Sequence, residues 1–212
     1  MDEERRSFFD RFRKKKGESA QVIDTDYVEN CARPIQHQYQ KVDGCCSGEK
    51  PLLEITDLHK YYDDGYHAVR GVSYKIGSGM LVGLIGPNGC GKSTMMKCIN
   101  CIHDVSSGEI LIDGESVLTK SPSEIAKIVA NVPAELKTSF GLSVYDTVML
   151  GRYPHLKNVW WETEEDETFV VESLKKFGVW HLRDRPLHML SSGERQRVLI
   201  AKAYVQEPRL ML

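Results

Sequence analysis

Gly86-Pro87-Asn88-Gly89-Cys90-Gly91-Lys92-Ser93-Thr94 is the stretch whose reading decides the fold. It satisfies the phosphate-loop pattern Gly-x-x-x-x-Gly-Lys-[Ser/Thr] without a mismatch. The run before it, Leu81-Val82-Gly83-Leu84-Ile85, is short and apolar and predicts a strand, while Ser93 to Ile99 after it can continue as a helix. In that context the N–H groups of the turn converge on phosphates, the helix N-terminus adds positive potential, and no Cβ at Gly86, Gly89 or Gly91 blocks close approach. Lys92 is placed to reach the β- and γ-phosphates of a nucleoside triphosphate. Ser93 offers a hydroxyl to Mg²⁺, with Thr94 as a neighbouring hydroxyl. The candidate nucleotide-binding residues are therefore Gly86, Pro87, Asn88, Gly89, Cys90, Gly91, Lys92, Ser93 and Thr94, and the implied ligands are a nucleoside triphosphate and Mg²⁺.

A second string lies about a hundred residues later: Leu190-Ser191-Ser192-Gly193-Glu194-Arg195-Gln196-Arg197. Taken alone, Ser191-x-x-Glu194 is a capping box opening an amphipathic helix through Val198, Ile200 and Ala201 to Tyr204. Together with the loop and at that spacing, it resembles the Leu-Ser-Gly-Gly-Gln/Glu signature of the ABC (ATP-binding cassette) ATPases. The resemblance implies that Ser191, Ser192, Gly193 and Glu194 contact the γ-phosphate of ATP held by a second nucleotide-binding subunit, in a head-to-tail homodimer with two composite sites. Ser192 stands where the family most often has glycine.

The resemblance covers most of the chain from Leu52 onward. Leu52 to Thr56, Val72 to Ile76 and Gly108 to Gly114 read as half-buried antiparallel strands of a β subdomain. Tyr62 matches the family's adenine-stacking aromatic, with Tyr61 as the adjacent rival. Ser121-Pro122-Ser123-Glu124 predicts another capped helix carrying Ile125, Ile128 and Val129. In Val132-Pro133-Ala134-Glu135 the family has Gln at the Q-loop position, where this chain has Ala134. An alanine can neither ligate a metal nor bond a water. Either Glu135 substitutes from the next position or catalysis and coupling are weakened.

Gly141 to His155, containing Gly151-Arg152-Tyr153-Pro154-His155, looks like the run found in ATPases of iron-siderophore, haem and cobalamin importers. In the family it lies in the helical subdomain that grips the transmembrane permease, and no physical reason ties the string itself to a cargo. Trp160-Trp161 reads either as an interface anchor or as packing. Thr163-Glu164-Glu165-Asp166 opens a helix with Val170, Leu174 and Phe177 as its core stripe and Gly178 as its stop. Pro208 to Leu212 reads as the start of the strand that in the family ends in Asp-Glu. Those carboxylates and the switch histidine are not among the 212 residues. The expectation is thus a domain incomplete at its C-terminus, with none of the catalytic carboxylates present and impaired turnover.

The net charge of −2 and 27% charged content carry no bias towards nucleic acid. No apolar run approaches the roughly 18 residues of a membrane span. The reading is a cytoplasmic protein, peripheral on the inner membrane face through permease subunits, with a substrate-binding protein as an indirect partner. Cysteines 31, 45, 46, 90, 98 and 101 read as reduced thiols. Cys98-x-x-Cys101 has metal-like spacing without a second pair, which favours helix packing over zinc. Residues 1–50 mix basic residues and phenylalanines at the start with an unpatterned polar stretch, and read as a disordered tail with a weak helix; residues 51–212 are the partial nucleotide-binding domain.

The fold class that results is α/β, an ABC-type P-loop NTPase domain with an antiparallel β subdomain and a helical subdomain. The function implied is ATP hydrolysis driving import of an iron complex, haem or cobalamin. The alternatives are a soluble ABC ATPase without a permease, and a non-catalytic fragment.

Overall fold

The computed structural model describes the backbone of residues 21–24 and, with side chains, residues 50–134, 141–156 and 163–212. Glu135, the Trp160-Trp161 pair and nearly all of the N-terminal tail lie outside the described residues. The chain divides into two compact units, one up to Thr119 and one from Lys120.

In the first unit, β1 (Gln21–Asp24) pairs in parallel with β4 (Val82–Ile85), Gln21 opposite Val82 and Asp24 opposite Ile85. A four-stranded antiparallel sheet has the order β3-β2-β5-β6, built from β2 (Leu53–Tyr61), β3 (His67–Ile76), β5 (Ser107–Ile112) and β6 (Glu115–Ser116). Leu53 and Ile55 are buried, as alternation requires, but so is Leu58. The phase changes because the pairing slips between Ile55 and Leu58, with Asp57 in the left-handed region at φ 47° and its N–H donated to the Ser73 hydroxyl at 2.8 Å. One extra residue in a strand turns every later side chain to the other face. The alternation legible at 52–56 is therefore the first half of a longer strand. Helix α1 (Lys92–Ile99) buries Met95, Cys98 and Ile99, the i, i+3, i+4 set of a single face. Cys101, just past the helix, donates its thiol to the Val117 carbonyl, and burial raises the pKa of both thiols.

The second unit opens on α2 (Pro122–Ile128), whose capping box is made: Ser121 Oγ accepts from the Glu124 N–H, and Glu124 Oε2 accepts from the Ser121 N–H. Next, β7 (Val129–Ala130) pairs in parallel with β8 (Leu210–Met211), so the strand predicted from Pro208 onward forms. Three helices close the core: α3 (Val144–Met149), α4 (Glu164–Lys176) and α5 (Ser192–Val205). Val148, Val170, Leu174, Leu182, Val198 and Ala201 meet there with almost no exposure. Leu150–His155 between α3 and α4 is a 3-10 turn.

That turn explains Gly151-Arg152-Tyr153-Pro154-His155 without reference to a cargo. A Cβ on Gly151 would run into the Lys202 carbonyl oxygen of α5. Arg152 donates to Asp166 Oδ1, to Glu207 Oε2 and to the Val205 carbonyl, each at 2.8 Å, and lies over the Phe169 ring. His155 Nε2 meets the Gln206 carbonyl at 2.8 Å, and the Gln206 amide in turn donates to the Ala126 and Val129 carbonyls. The string is an internal clamp joining the start of α4 to the end of α5.

Burial pushes the Asp166 carboxyl up, but bonds from the Thr163 hydroxyl and Arg152 guanidinium outweigh it and hold it below the ordinary carboxylate value. A carboxyl whose native pKa lies below its unfolded value contributes stability above the unfolded value of about 3.9, and loses it as pH falls through the native one. Asp166→Asn removes one of the two carboxylates on the nearly buried Arg152, leaving the more exposed Glu207, and is expected to cost roughly 2 kcal/mol at pH 7. In urea unfolding, the gap between variant and wild type should close as pH is lowered below about 4.

Candidate functional site

The loop predicted to hold phosphate runs from the end of β4 into α1. Gly91 caps α1 with φ 92°, in the left-handed region, and a Cβ there would collide with the carbonyl oxygen of Ala68 on β3. Only glycine permits that backbone to approach. The helix end carries no side-chain cap and no acidic residue in its first turn, so its N–H groups and positive potential are not spent on a side chain. A cavity of about 300 Å³ opens here, lined by Tyr66, Ala68, Asn88, Gly89, Gly91, Lys92, Ser93 and Thr94. Six of the nine loop residues picked out by sequence thus share one cavity wall; Gly86, Pro87 and Cys90 do not line it.

Lys92 explains part of that arrangement. Its ammonium donates to the Gly86 carbonyl at 2.6 Å and to the Pro87 carbonyl at 2.7 Å, and lies 3.7 Å from Cys90 Sγ. The three residues outside the lining are those that hold the lysine from behind. The Ser93 hydroxyl is the candidate Mg²⁺ ligand. A single hydroxyl suits an ion that keeps several waters and takes its other ligands from phosphate.

Tyr61 and Tyr62 are separated by the strand's alternation. Tyr61 stacks on His67 with ring centroids 3.9 Å apart. Tyr62 instead bonds its hydroxyl to Thr94 Oγ1 at 3.0 Å and takes the edge of His103 at 5.6 Å. Of the two rivals, Tyr62 is the one joined to α1. Sequence reasoning missed Tyr66, which lines the cavity and brings its hydroxyl to the Gly89 carbonyl at 3.4 Å. A signal was available in Tyr62-Asp63-Asp64-Gly65-Tyr66, because a three-residue loop ending in Asp-Gly sets its flanking residues opposite one another.

In the second unit, Ser191 caps α5, with its Oγ accepting from the Glu194 N–H at 3.3 Å and its own N–H and hydroxyl donated to Glu194 Oε2. Those bonds hold the Glu194 carboxyl below its usual pKa. Ser191, Ser192 and Gly193 are exposed in a row. Arg195 Nη2 donates to the Leu190 carbonyl, and among the described residues its buried Nε has no hydrogen-bond partner. Ala134, at the Q-loop position, is exposed beyond β7, where the Val132 N–H meets the Leu212 carbonyl at 2.8 Å. Among the described residues there is no cluster of metal-ligating side chains and no helix long and apolar enough to cross a membrane.

A family model described as ABC transporter matches residues 69–212. The phosphonates import ATP-binding protein of Lactobacillus acidophilus is 33% identical over 171 residues, covering 77% of this chain and 66% of that protein. The iron(3+)-hydroxamate import ATP-binding protein of Bacillus subtilis is 35% identical over 144 residues, 68% of this chain and 54% of its own length. Among solved structures, cbiO1 from Clostridium perfringens, part of the ABC transporter complex cbiONQ, superposes with a TM-score of 0.66 at 32% identity over 77% of this chain and 64% of that one. The chain spans less than two thirds of the length of each of these proteins.

The loop geometry orders two glycines. Gly89→Ala, at φ 84° but facing open space, should cost only left-handed strain, about 1–2 kcal/mol. Gly91→Ala adds a collision with backbone and should cost more, as read by denaturant unfolding of the two variants side by side.

Proposed function

Because the chain belongs to the ABC transporter family and has its P-loop NTPase fold, we propose that it binds MgATP at the Gly86–Thr94 loop as the nucleotide-binding part of an importer. The observation that carries this is the cavity beneath an uncapped helix N-terminus, lined by Lys92, Ser93 and Thr94. The N–H groups of the loop and of the first turn would receive the phosphate oxygens. Lys92 would neutralise the β- and γ-phosphates, and Ser93 would supply its hydroxyl to Mg²⁺, which would offset negative charge on the triphosphate. Tyr62, tied to Thr94, would lie against the base. Among the described residues the cavity lining carries an amide, hydroxyls and an ammonium but no carboxylate, so the role assigned to it is to bind and orient the triphosphate.

The exposed Ser191-Ser192-Gly193 turn fits a contact with the γ-phosphate held by a second copy, giving two ATP molecules sandwiched in a homodimer that closes on binding and reopens on hydrolysis. Membrane association would then come through permease subunits, with a substrate-binding protein on the far side. For the cargo, the resemblance of residues 141–155 supports an iron chelate, haem or cobalamin, while the relatives include subunits named for phosphonate, manganese and iron-hydroxamate import alike. Uptake of labelled ferric hydroxamate by the permease system the protein serves should be lost on deleting its gene, with phosphonate uptake unchanged; the reverse pattern would reassign the cargo.

Replacing Lys92 by Ala removes a charge-assisted contact worth about 1.5–3 kcal/mol and is expected to weaken ATP roughly ten- to hundredfold in titration calorimetry. Equal affinity of the two proteins would refute nucleotide binding at this loop.

A further inference from the structure

Tyr62 and Tyr66 flank the tip of the β2–β3 hairpin. The Tyr62 N–H donates to the Tyr66 carbonyl and the Gly65 N–H to the Tyr62 carbonyl, both at 2.9 Å, with Gly65 at φ 81°; Asp64 Oδ1 accepts the Tyr66 N–H, also at 2.9 Å. This is a type I turn closed by a left-handed glycine, which holds the two flanking residues across from one another. The consequence is a pair of phenol rings inclined by only 19° with centroids 6.5 Å apart. Both hydroxyls point to the phosphate loop: Tyr62 to Thr94 in the first turn of α1, Tyr66 to the Gly89 carbonyl.

The two rings differ in freedom. Tyr62 is pinned by Thr94, by the edge of His103 and by the Lys60 ammonium 5.9 Å from its centroid. Tyr66 is half exposed, its hydroxyl contact is long at 3.4 Å, and it lines the cavity itself. A flat heteroaromatic ring between two others needs about 7 Å between the outer planes, from carbon contacts of about 3.5 Å on each face. Centroids 6.5 Å apart put the planes no farther apart than that, so entry of a base requires one ring to move outward, and the ring able to give way is the exposed Tyr66.

We propose that Tyr66 is the second wall of the base site: the purine of the nucleotide enters between Tyr62 and Tyr66, so that the hairpin selects for a nucleoside as well as a triphosphate. The inference rests on nucleotide binding at the Gly86–Thr94 loop, and it assigns Tyr66 a role in specificity, with no part in the phosphate chemistry. A base stacked on an aromatic side chain gains an amount that corresponds to roughly five- to a hundredfold in affinity. The removal of one wall should therefore be visible in ATP and invisible in a ligand that has no base.

The experiment titrates the 212-residue chain with MgATP and, separately, with inorganic triphosphate. Tyr66→Ala should lower the affinity for ATP by about tenfold and leave that for triphosphate within twofold, while Tyr66→Phe, which keeps the ring and loses the hydroxyl, should match wild type for both. Unchanged ATP affinity in Tyr66→Ala would overturn the proposal while leaving nucleotide binding in place. An equal loss for ATP and triphosphate would overturn it too, because Tyr66 would then be shaping the phosphate cradle. Failure of the wild type to bind either ligand would overturn both readings. Tyr66 is exposed, so thermal unfolding of the variants should coincide with that of wild type.

Discussion

The approach of Gly91 to the Ala68 carbonyl is the contact on which the loop and helix of the first unit depend. It presses the first turn of a helix against the backbone of a strand from a different sheet, at a distance no side chain could share. Two consequences follow from that closeness. The helix begins with its N–H groups unspent, because a left-handed glycine offers no capping oxygen. Strand β3 is carried past the loop so that Tyr66, just ahead of Ala68, reaches the same cavity as Lys92 and Ser93. Phosphate cradle and aromatic hairpin are thus one assembly, although about twenty residues of chain separate them.

The second unit rests on a different constraint, a nearly buried guanidinium. Desolvating Arg152 is tolerable only because its donors meet two carboxylates and a helix-end carbonyl, and because the Phe169 ring covers its face. The carbonyl of Val205 belongs to the last turn of α5, where helix acceptors lack partners along the chain. Arg152 and His155 together close that end, and the Gln206 side chain extends the closure to α2 and β7. The string thus joins elements whose residues lie more than fifty positions apart.

What could be read from sequence divides along the range of the interactions. The P-loop, the capping boxes at Ser121 and Ser191, and the acidic start of α4 were all legible because each is completed within about nine residues or fewer. The separation of Tyr62 from Tyr61 was not, because it depends on how strand β2 turns after a bulge fixed by Ser73, sixteen positions from Asp57. Tyr66 was passed over for a simpler reason. The Asp64-Gly65 turn sets its partner locally, but its place beside the loop is a contact made 23 residues along the chain. Residues 141–155 were recognised by resemblance, but their physical cause lay in Asp166, Lys202, Val205 and Gln206, which no local pattern reveals.

The bonds from Lys92 to the carbonyls of Gly86 and Pro87 have a further bearing on how a ligand arrives. A glycine-rich loop left to itself would sample many backbone states, and ordering each residue costs about 1–2 kcal/mol. Here the ammonium acts as an internal counter-ion that keeps two carbonyls converged, so the loop is already folded when an anion meets it. On the proposed function, docking would be an exchange of partners on one nitrogen, carbonyl oxygens for phosphate oxygens, with the association rate set by encounter instead of by loop closure. The same exchange would release Gly86 and Pro87 from their restraint, making the strand end before the loop softer in the loaded protein than in the empty one.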